Sequence, residues 1–169
     1  MHRVNVARII RWSGMAAMVL AIGLLAIPAQ AGEMTLKGRN VQSKATSSWA
    51  QIGDDESHGI GAYEADGLGF HENGEVSTYV SKGLYDWRHG TDQHSGYVVR
   101  TYADGSTTTS HFEGTTSSDA GAATWNGTVV YVSGTGRFDG IKGEGTYEGQ
   151  RYLNKMSVTD WEMRVVLPD

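Results

Sequence analysis

The amino-acid sequence predicts an all-β protein whose strands pair continuously with their neighbours. Short runs of β-favouring residues recur along the chain, with turn residues between them and no convincing helical stripe. Asn73-Gly74 and Asp104-Gly105 tolerate the positive φ angles of a tight hairpin turn, and each dipeptide is flanked by strand-like sequence. After residue 31 the only proline is Pro168, so interior strands can pair along both edges, as a closed barrel requires.

Ten runs combine β-branched or aromatic residues with turn-forming residues at their ends. The predicted strands are residues 34–39, 47–53, 58–64, 67–71, 75–84, 96–102, 106–114, 124–133, 143–152 and 157–166. Three polar segments are predicted as loops: the acidic residues 54–56, the histidine-containing residues 86–95 and the small residues 115–123. None of these loops is long enough to divide the chain, so one domain is expected.

The N-terminus has the three parts of a secretory signal peptide. Three arginines precede an uncharged apolar run over residues 14–27, and an Ala-x-Ala cleavage site ends at Ala31. The apolar run is short for a bilayer span, so an uncleaved membrane anchor is the less favoured alternative. We predict that residues 1–31 are removed and that the domain of residues 32–169 is periplasmic or secreted.

The charge and composition of the mature domain limit its partners. Removing residues 1–31, which contain three arginines and no acidic residue, changes the formal net charge from −5 to −8. An acidic surface repels nucleic-acid phosphates and anionic lipids, so neither a nucleic acid nor a membrane is predicted as a partner after cleavage. The sequence contains no cysteine, so burial and sheet hydrogen bonds must hold the fold without disulfides.

The stretch from Ser133 to Gly149 contains six glycines together with Phe138, Ile141 and Tyr147. A flexible linker would not carry these large side chains. Glycine at this density permits bulges and close strand approach, which predicts a sharply curved β-connection. A nucleotide-binding or phosphate-binding loop is excluded, because the motif lacks its third glycine and the following sequence is β-like rather than helical.

A Tyr-Val strand precedes a turn of sequence Gly-Thr-Gly-Arg-Phe-Asp-Gly-Ile-Lys-Gly-Glu-Gly, and this pattern resembles the allene oxide cyclase and dirigent-like barrels. The resemblance covers residues 125–152. It implies a single antiparallel eight-stranded, calycin-like β-barrel in which this turn joins two neighbouring strands. The catalytic residues of the plant cyclases have no counterpart here, so fold is carried over and activity is not. The arrangement of His58, Tyr63-Glu64, Gly67 and Asp104-Gly105-Ser106 also resembles that of small secreted bacterial proteins of unassigned function.

His58 and Glu64 are the candidates for acid–base chemistry. Strand alternation places His58, Ile60, Ala62 and Glu64 on one face and Tyr63 on the other. If the first face points into a barrel, desolvation makes Glu64 a proton carrier with His58 as its partner. If that face points outward, both are ordinary surface residues, and the pattern leaves both orientations open.

The histidines also allow a metal-site hypothesis. His89 and His94 share one predicted loop and would bind zinc or copper together with Asp86 or Asp92. Because scattered loop histidines are more often solvated than ligating, we predict neither a metal nor a cofactor.

Aromatic residues supply the candidate ligand site. The mature chain has more Trp and Tyr residues than a domain of this size buries, so some of them line a cavity or the surface, where stacking on sugars is the alternative role. A small barrel either fills its interior or holds one small ligand, which Tyr and Trp edges orient by hydrogen bonds. The residues predicted to contact such a ligand are Tyr79, Tyr97, Tyr102, His111, Trp125 and Tyr131.

Three functions follow from these observations. The favoured one is a barrel that binds a small apolar or aromatic molecule in its interior. The second is a cyclase- or isomerase-type enzyme, which additionally needs an ionisable group inside the cavity. The third is a structural or interaction protein without a ligand, for which we expect a filled barrel and an exposed apolar patch. No sequence feature predicts an oligomeric state.

Overall fold

The computed structural model of the protein describes residues 32–152 and 156–167, which form a closed antiparallel barrel. In chain order the strands are β1 (Glu33–Gln51), β2 (Gly59–His71), β3 (Val76–Arg88), β4 (Thr91–Tyr102), β5 (Thr107–Asp119), β6 (Ala122–Gly134), β7 (Lys142–Arg151) and β8 (Ser157–Val166). Each strand pairs with its sequence neighbours, and β1 closes the barrel against β8. The predicted eight-stranded antiparallel barrel is therefore confirmed. The predicted signal peptide, residues 1–31, lies outside the described residues.

The described residues contain no helix with the length and apolar character that a membrane crossing requires.

Ten predicted runs correspond to eight strands because two pairs of runs are continuous. The runs 34–39 and 47–53 both belong to β1, in which the register shifts at a bulge after Gln42. The runs 58–64 and 67–71 both belong to β2. In β1 a bulge interrupts the alternating side-chain pattern, and in β2 two small residues do so. The backbone hydrogen bonding continues through both interruptions, so each strand is longer than its sequence pattern predicts.

The predicted histidine-containing loop and the predicted small-residue loop are tight hairpins in the structure. Their turns are His89-Gly90, between β3 and β4, and Ala120-Gly121, between β5 and β6. All four residues have positive φ, at 50° and 81° in the first turn and 48° and 89° in the second. Two-residue hairpin turns require this geometry, but His and Ala are not the residues that usually adopt it. The sequence pattern therefore does not predict either of these two hairpin turns.

The glycine-rich segment curves sharply, as predicted, and covers one end of the barrel. A 3₁₀ turn, Gly136–Phe138, follows β6 and leads into β7. Phe138 and Ile141 are buried and pack against Tyr102 at the end of β4. We call this the closed end of the barrel. The opposite end, where the His89-Gly90 turn lies, is the mouth.

Large aromatic side chains of the inner wall lie opposite glycines on the neighbouring strand. Trp125 faces Gly149, and a Cβ added to that glycine would lie 2.1 Å from Trp125 Nε1. The ring therefore occupies the space above the glycine and lies against the wall. The same pairing joins Tyr63 with Gly83, Trp161 with Gly38, Tyr85 with Gly61, Tyr79 with Gly67, Phe112 with Gly96 and Tyr147 with Gly127. Rings held in this way leave space along the barrel axis.

We expect Phe138→Ala to lower the free energy of unfolding by about 3 kcal/mol, because it removes the buried ring that closes the barrel beneath Tyr102. The two ring centroids are 4.5 Å apart. Urea unfolding followed by tryptophan fluorescence measures the change. Phe70→Ala is the matched control, since Phe70 is 44 % exposed on the outer face of β2. Equal losses in the two variants would show that Phe138 is no more important than a surface ring.

Candidate ligand-binding cavity

The barrel encloses a cavity of about 850 Å³ that reaches from Arg100, near the closed end, to Trp87 and Ser118 at the mouth. Its apolar walls include Phe112 and Met163, which belong to the main core cluster of the barrel. Serine and threonine hydroxyls from several strands interrupt these apolar surfaces. The cavity is therefore amphipathic, and its size is typical of sites for small molecules.

Four of the six predicted ligand-contact residues lie on the inner side of the barrel. Tyr79, Trp125 and Tyr131 line the cavity. Tyr102 is buried below it, in the cluster with Phe138 that forms the closed end. Burial raises the pKa of Tyr79 to about 12. The lining phenols are consequently neutral hydrogen-bonding groups at physiological pH.

The other two predicted contact residues, Tyr97 and His111, lie on the outer face, and their assignment to the cavity is corrected. Their rings pack against each other with centroids 4.9 Å apart, across the β4–β5 pair. Tyr97 is 51 % exposed. The next residues along the two strands, Val98 and Phe112, line the cavity instead. Alternation predicts which residues share a face, but it does not predict which of the two faces points into the barrel.

The structure separates the two candidates for acid–base chemistry. Glu64 lies exposed on the outer face of β2, where Oε2 is 3.0 Å from Lys82 Nζ. His58 precedes β2 at the mouth, with Nδ1 2.6 Å from Asp54 Oδ1 and Nε2 3.0 Å from Asp86 Oδ1. The hydrogen bond with His58 holds the pKa of Asp54 below its usual range. A His58–Glu64 pair inside the barrel is therefore not formed.

A hydrogen-bonded chain inside the cavity was not identified from the sequence as a site. His94 Nδ1 lies 2.8 Å from Asp92 Oδ1 and 3.2 Å from Thr116 Oγ1, and His94 Nε2 lies 2.8 Å from the Tyr147 hydroxyl. The side chains of His94 and Asp92 are 8 % and 11 % exposed. Burial raises the pKa of Tyr147 above its ordinary value. The i, i+2 spacing of Asp92 and His94 places the two side chains on the same face of a strand. Because this segment is predicted as a loop, the sequence pattern does not indicate their proximity.

Arg100, on the inner face of β4, is the second polar feature that sequence reasoning missed. Its side chain donates from Nη1 to Ser77 Oγ at 3.0 Å and from Nη2 to Asn40 Oδ1 at 3.1 Å. The guanidinium carbon lies 4.9 Å from the centroid of the Trp161 ring. A Cβ added to Gly69 would lie 2.0 Å from Nη1, so this glycine provides the room that the guanidinium occupies. Four neighbours thus fix the position of a buried cation.

His71 lies beside Arg100 without adding a second charge at neutral pH. Burial, and to a smaller extent the charge of Arg100, lowers the pKa of His71 to about 4. His71 Nε2 lies 2.9 Å from Ser77 Oγ, and the imidazole packs against Tyr102 and Trp161 with both centroid distances at 5.3 Å. The imidazole is therefore neutral and packs behind the cavity wall, against Ser77, Tyr102 and Trp161.

The hypothesised metal site is not assembled in the described part of the chain. His89 Nε2 lies 2.9 Å from Asp55 Oδ2 at the mouth, whereas His94 points into the barrel towards Tyr147. The two histidines thus belong to different clusters. Within residues 32–152 and 156–167, no group of three or more His, Cys, Asp or Glu side chains converges in a way that could hold a metal ion.

Comparisons with known proteins give a structural similarity alone. No protein-family model and no curated protein matches the sequence. Among solved structures, the chain is similar to a conserved protein of unknown function from Rhodopseudomonas palustris, with a TM-score of 0.50 and 10 % identity. The alignment covers 79 % of this chain and 98 % of that protein. At this identity the similarity concerns the fold, and the resemblance to allene oxide cyclase and dirigent-like barrels stays a prediction.

We expect the barrel to lose stability as the pH falls from about 6.5 to about 4. An unfolded histidine titrates near pH 6.5, whereas folded His71 has a pKa of about 4. Between these values the unfolded state binds the additional proton and is favoured. Because His71 is only partly buried, we expect a loss of about 1 to 2 kcal/mol.

Urea unfolding across this pH range measures the effect. His71→Gln should reduce the slope, while His89→Gln, at the exposed mouth, should retain it. Carboxylates of lowered pKa, such as Asp104 and Asp160, act mainly below this window. An unchanged slope in His71→Gln would contradict the assignment.

Proposed function

We propose that the barrel binds a small apolar or aromatic molecule in its interior. The observation that carries the proposal is the cavity of about 850 Å³, which ends at Arg100 and Tyr131 next to the Phe138 cluster and reaches the mouth at the other end. Cavities of this volume accommodate one molecule of ordinary metabolite size. The glycine–aromatic pairs keep this volume open, because each ring lies against the wall instead of across the axis.

The lining chemistry supports a ligand with a large apolar body. Phe112, Val129, Trp161 and Met163 form one continuous core cluster, and all four side chains also border the cavity. Aromatic and aliphatic walls of this kind contribute contact area, while a few polar groups fix orientation. The alternative of a structural protein without a ligand predicts a filled barrel together with an exposed apolar patch, and the open cavity weighs against the filled barrel.

The proposed location is the periplasm or the medium. The signal-like sequence of residues 1–31 supports it. The resemblance of residues 125–152 to the allene oxide cyclase and dirigent-like barrels supports the barrel architecture of the proposed binding protein rather than its location, since members of that superfamily share the eight strands.

A second candidate function is a cyclase- or isomerase-type reaction, which the chain of Asp92, His94 and Tyr147 favours. With the proton on Nδ1, His94 donates to the Asp92 carboxylate, and Nε2 accepts from the Tyr147 hydroxyl. Tyr147 can then give a proton to His94 while its oxygen takes one from a bound molecule, and the imidazolium is stabilised by Asp92. Returning the proton to another atom of the same molecule completes an isomerisation, so no co-reactant is needed.

Binding is tested with N-phenyl-1-naphthylamine, a neutral aromatic dye whose fluorescence rises in apolar surroundings. We expect saturable 1:1 binding to the purified protein. Ala65→Phe should weaken it by about tenfold or more, because Ala65 is buried on the cavity wall and a phenyl ring there fills the site. Ala62→Phe is the matched control, since Ala62 lies on the outer face of the same strand. Equal binding by the two variants, or no saturable binding by the wild type, would refute an interior site.

Proton transfer is tested with 5-nitrobenzisoxazole, a flat aromatic probe that opens when a base removes its ring C–H proton as the N–O bond breaks. We expect saturable ring opening by the wild type, followed as release of the coloured nitrophenolate. His94→Gln should reduce the rate by about a hundredfold, because the relay loses its proton acceptor. His58→Gln, at the mouth, should keep the wild-type rate. A rate independent of His94 would remove the support for an enzyme.

A further inference from the structure

Arg100 is a buried cation without a carboxylate partner among the described residues. Arg100 is 7 % exposed, and its side chain donates hydrogen bonds to the neutral groups of Ser77 and Asn40. Asp92, the acidic residue on the same inner face of β4, lies eight residues away, at a distance of about 26 Å along an extended strand. That carboxylate is also hydrogen-bonded to His94.

Two acidic residues lie in the turns at the closed end, Glu75 before β3 and Asp104 after β4, and both pair with Arg137. His71 is neutral above about pH 4, as its lowered pKa requires. Tyr79 and Thr108, the cross-strand neighbours of Arg100 on β3 and β5, are neutral hydroxyl residues. Within the described part of the chain, the cavity wall near the closed end therefore carries one uncompensated positive charge, that of Arg100.

An uncompensated buried charge destabilises a folded protein, and buried arginines are ordinarily paired. Here the surroundings of Arg100 position the charge without neutralising it. Gly69 makes room for Nη1, and the Trp161 ring faces the guanidinium carbon at 4.9 Å. Trp161 Nε1 in turn donates to Asn40 Oδ1 at 3.2 Å, and this same oxygen accepts from Arg100 Nη2. This cage orients the guanidinium and leaves its charge available.

The guanidinium also keeps donors that no described residue uses. Of its five N–H groups, two account for the hydrogen bonds to Ser77 and Asn40. Nε has no hydrogen-bond partner among the described residues. Arg100 lines the cavity, so these remaining donors lie beside the space that a ligand would fill.

We propose that Arg100 anchors the carboxylate of the molecule that the barrel binds, so that the ligand class is an apolar or aromatic monocarboxylate. This inference rests on the proposed binding function and specifies its ligand. A guanidinium donates two parallel hydrogen bonds to a carboxylate, and its single charge balances one carboxylate rather than a phosphate dianion. The head group lies at the closed end, and the apolar body extends past Val98, Phe112 and Val129 towards the mouth.

A matched pair of probes separates the anchor from the cavity. 2-Naphthoate and 2-naphthamide share the same ring system and differ in the charge of the head group. By calorimetric titration near neutral pH, we expect naphthoate to bind about tenfold to a hundredfold more tightly than naphthamide. Arg100→Met should abolish this preference while it retains naphthamide binding. Arg39→Met, which removes an exposed arginine paired with Asp160 on the outer wall, should leave the preference unchanged.

The outcomes distinguish the anchor from the proposed function. Equal affinities for the two probes in the wild type would refute the anchor and leave the binding barrel standing. Failure of both probes to bind a protein that binds N-phenyl-1-naphthylamine would refute the anchor alone, and failure of the dye as well would refute the binding function. A preference that persists in Arg100→Met would also refute the anchor.

Thermal unfolding of the ligand-free protein supplies a second readout. Because Arg100→Met replaces an uncompensated buried charge by an apolar side chain of similar length, we expect the Tm to rise by about 5 °C. A lower Tm with unchanged probe preference would show that Arg100 is a structural residue and would overturn the proposal. Naphthoate should raise the Tm of the wild type and not that of Arg100→Met.

Discussion

The pairing of inward-facing aromatic rings with glycines on the next strand is the constraint on which the barrel interior depends. Tyr63 covers Gly83, and Trp125 covers Gly149, at distances that exclude a Cβ on either glycine. A small eight-stranded barrel has an interior that side chains can just fill. Because these rings lie against the wall, the same side chains that stabilise the strand pairs leave a cavity of about 850 Å³.

Strand β4 contributes a member of each of the two polar features of the cavity. β4 places Asp92 and His94 on the inner face near the mouth and Arg100 on the same face near the closed end. Strand alternation fixes this arrangement, since all three residues are separated by even numbers of positions. A bound molecule would therefore contact the Asp92–His94 relay near the mouth and the positive charge of Arg100 near the closed end. Phe112 lies between these two groups.

The sequence was sufficient for the fold class but not for the inner face of the strands. Alternation and the turns at Asn73-Gly74 and Asp104-Gly105 predict an antiparallel all-β chain, as observed. The usual rule that apolar residues point inward fails here. Leu84 is 65 % exposed on the outer face, whereas Thr108 is 1 % exposed inside. Because polarity is partly inverted, the pattern predicts Tyr97 and His111 inside and a loop around Asp92, and both predictions are wrong.

The same inversion connects stability to function. Buried hydroxyls such as Thr108, an open cavity and the charge of Arg100 each lower the stability of an empty barrel relative to one filled by apolar side chains. Strand closure, the glycine–aromatic pairs and the Phe138 cluster must offset these costs. A molecule that fills the cavity and neutralises Arg100 would relieve two of the costs at once. The features that weaken the empty barrel are thus the ones that would give such a ligand its affinity.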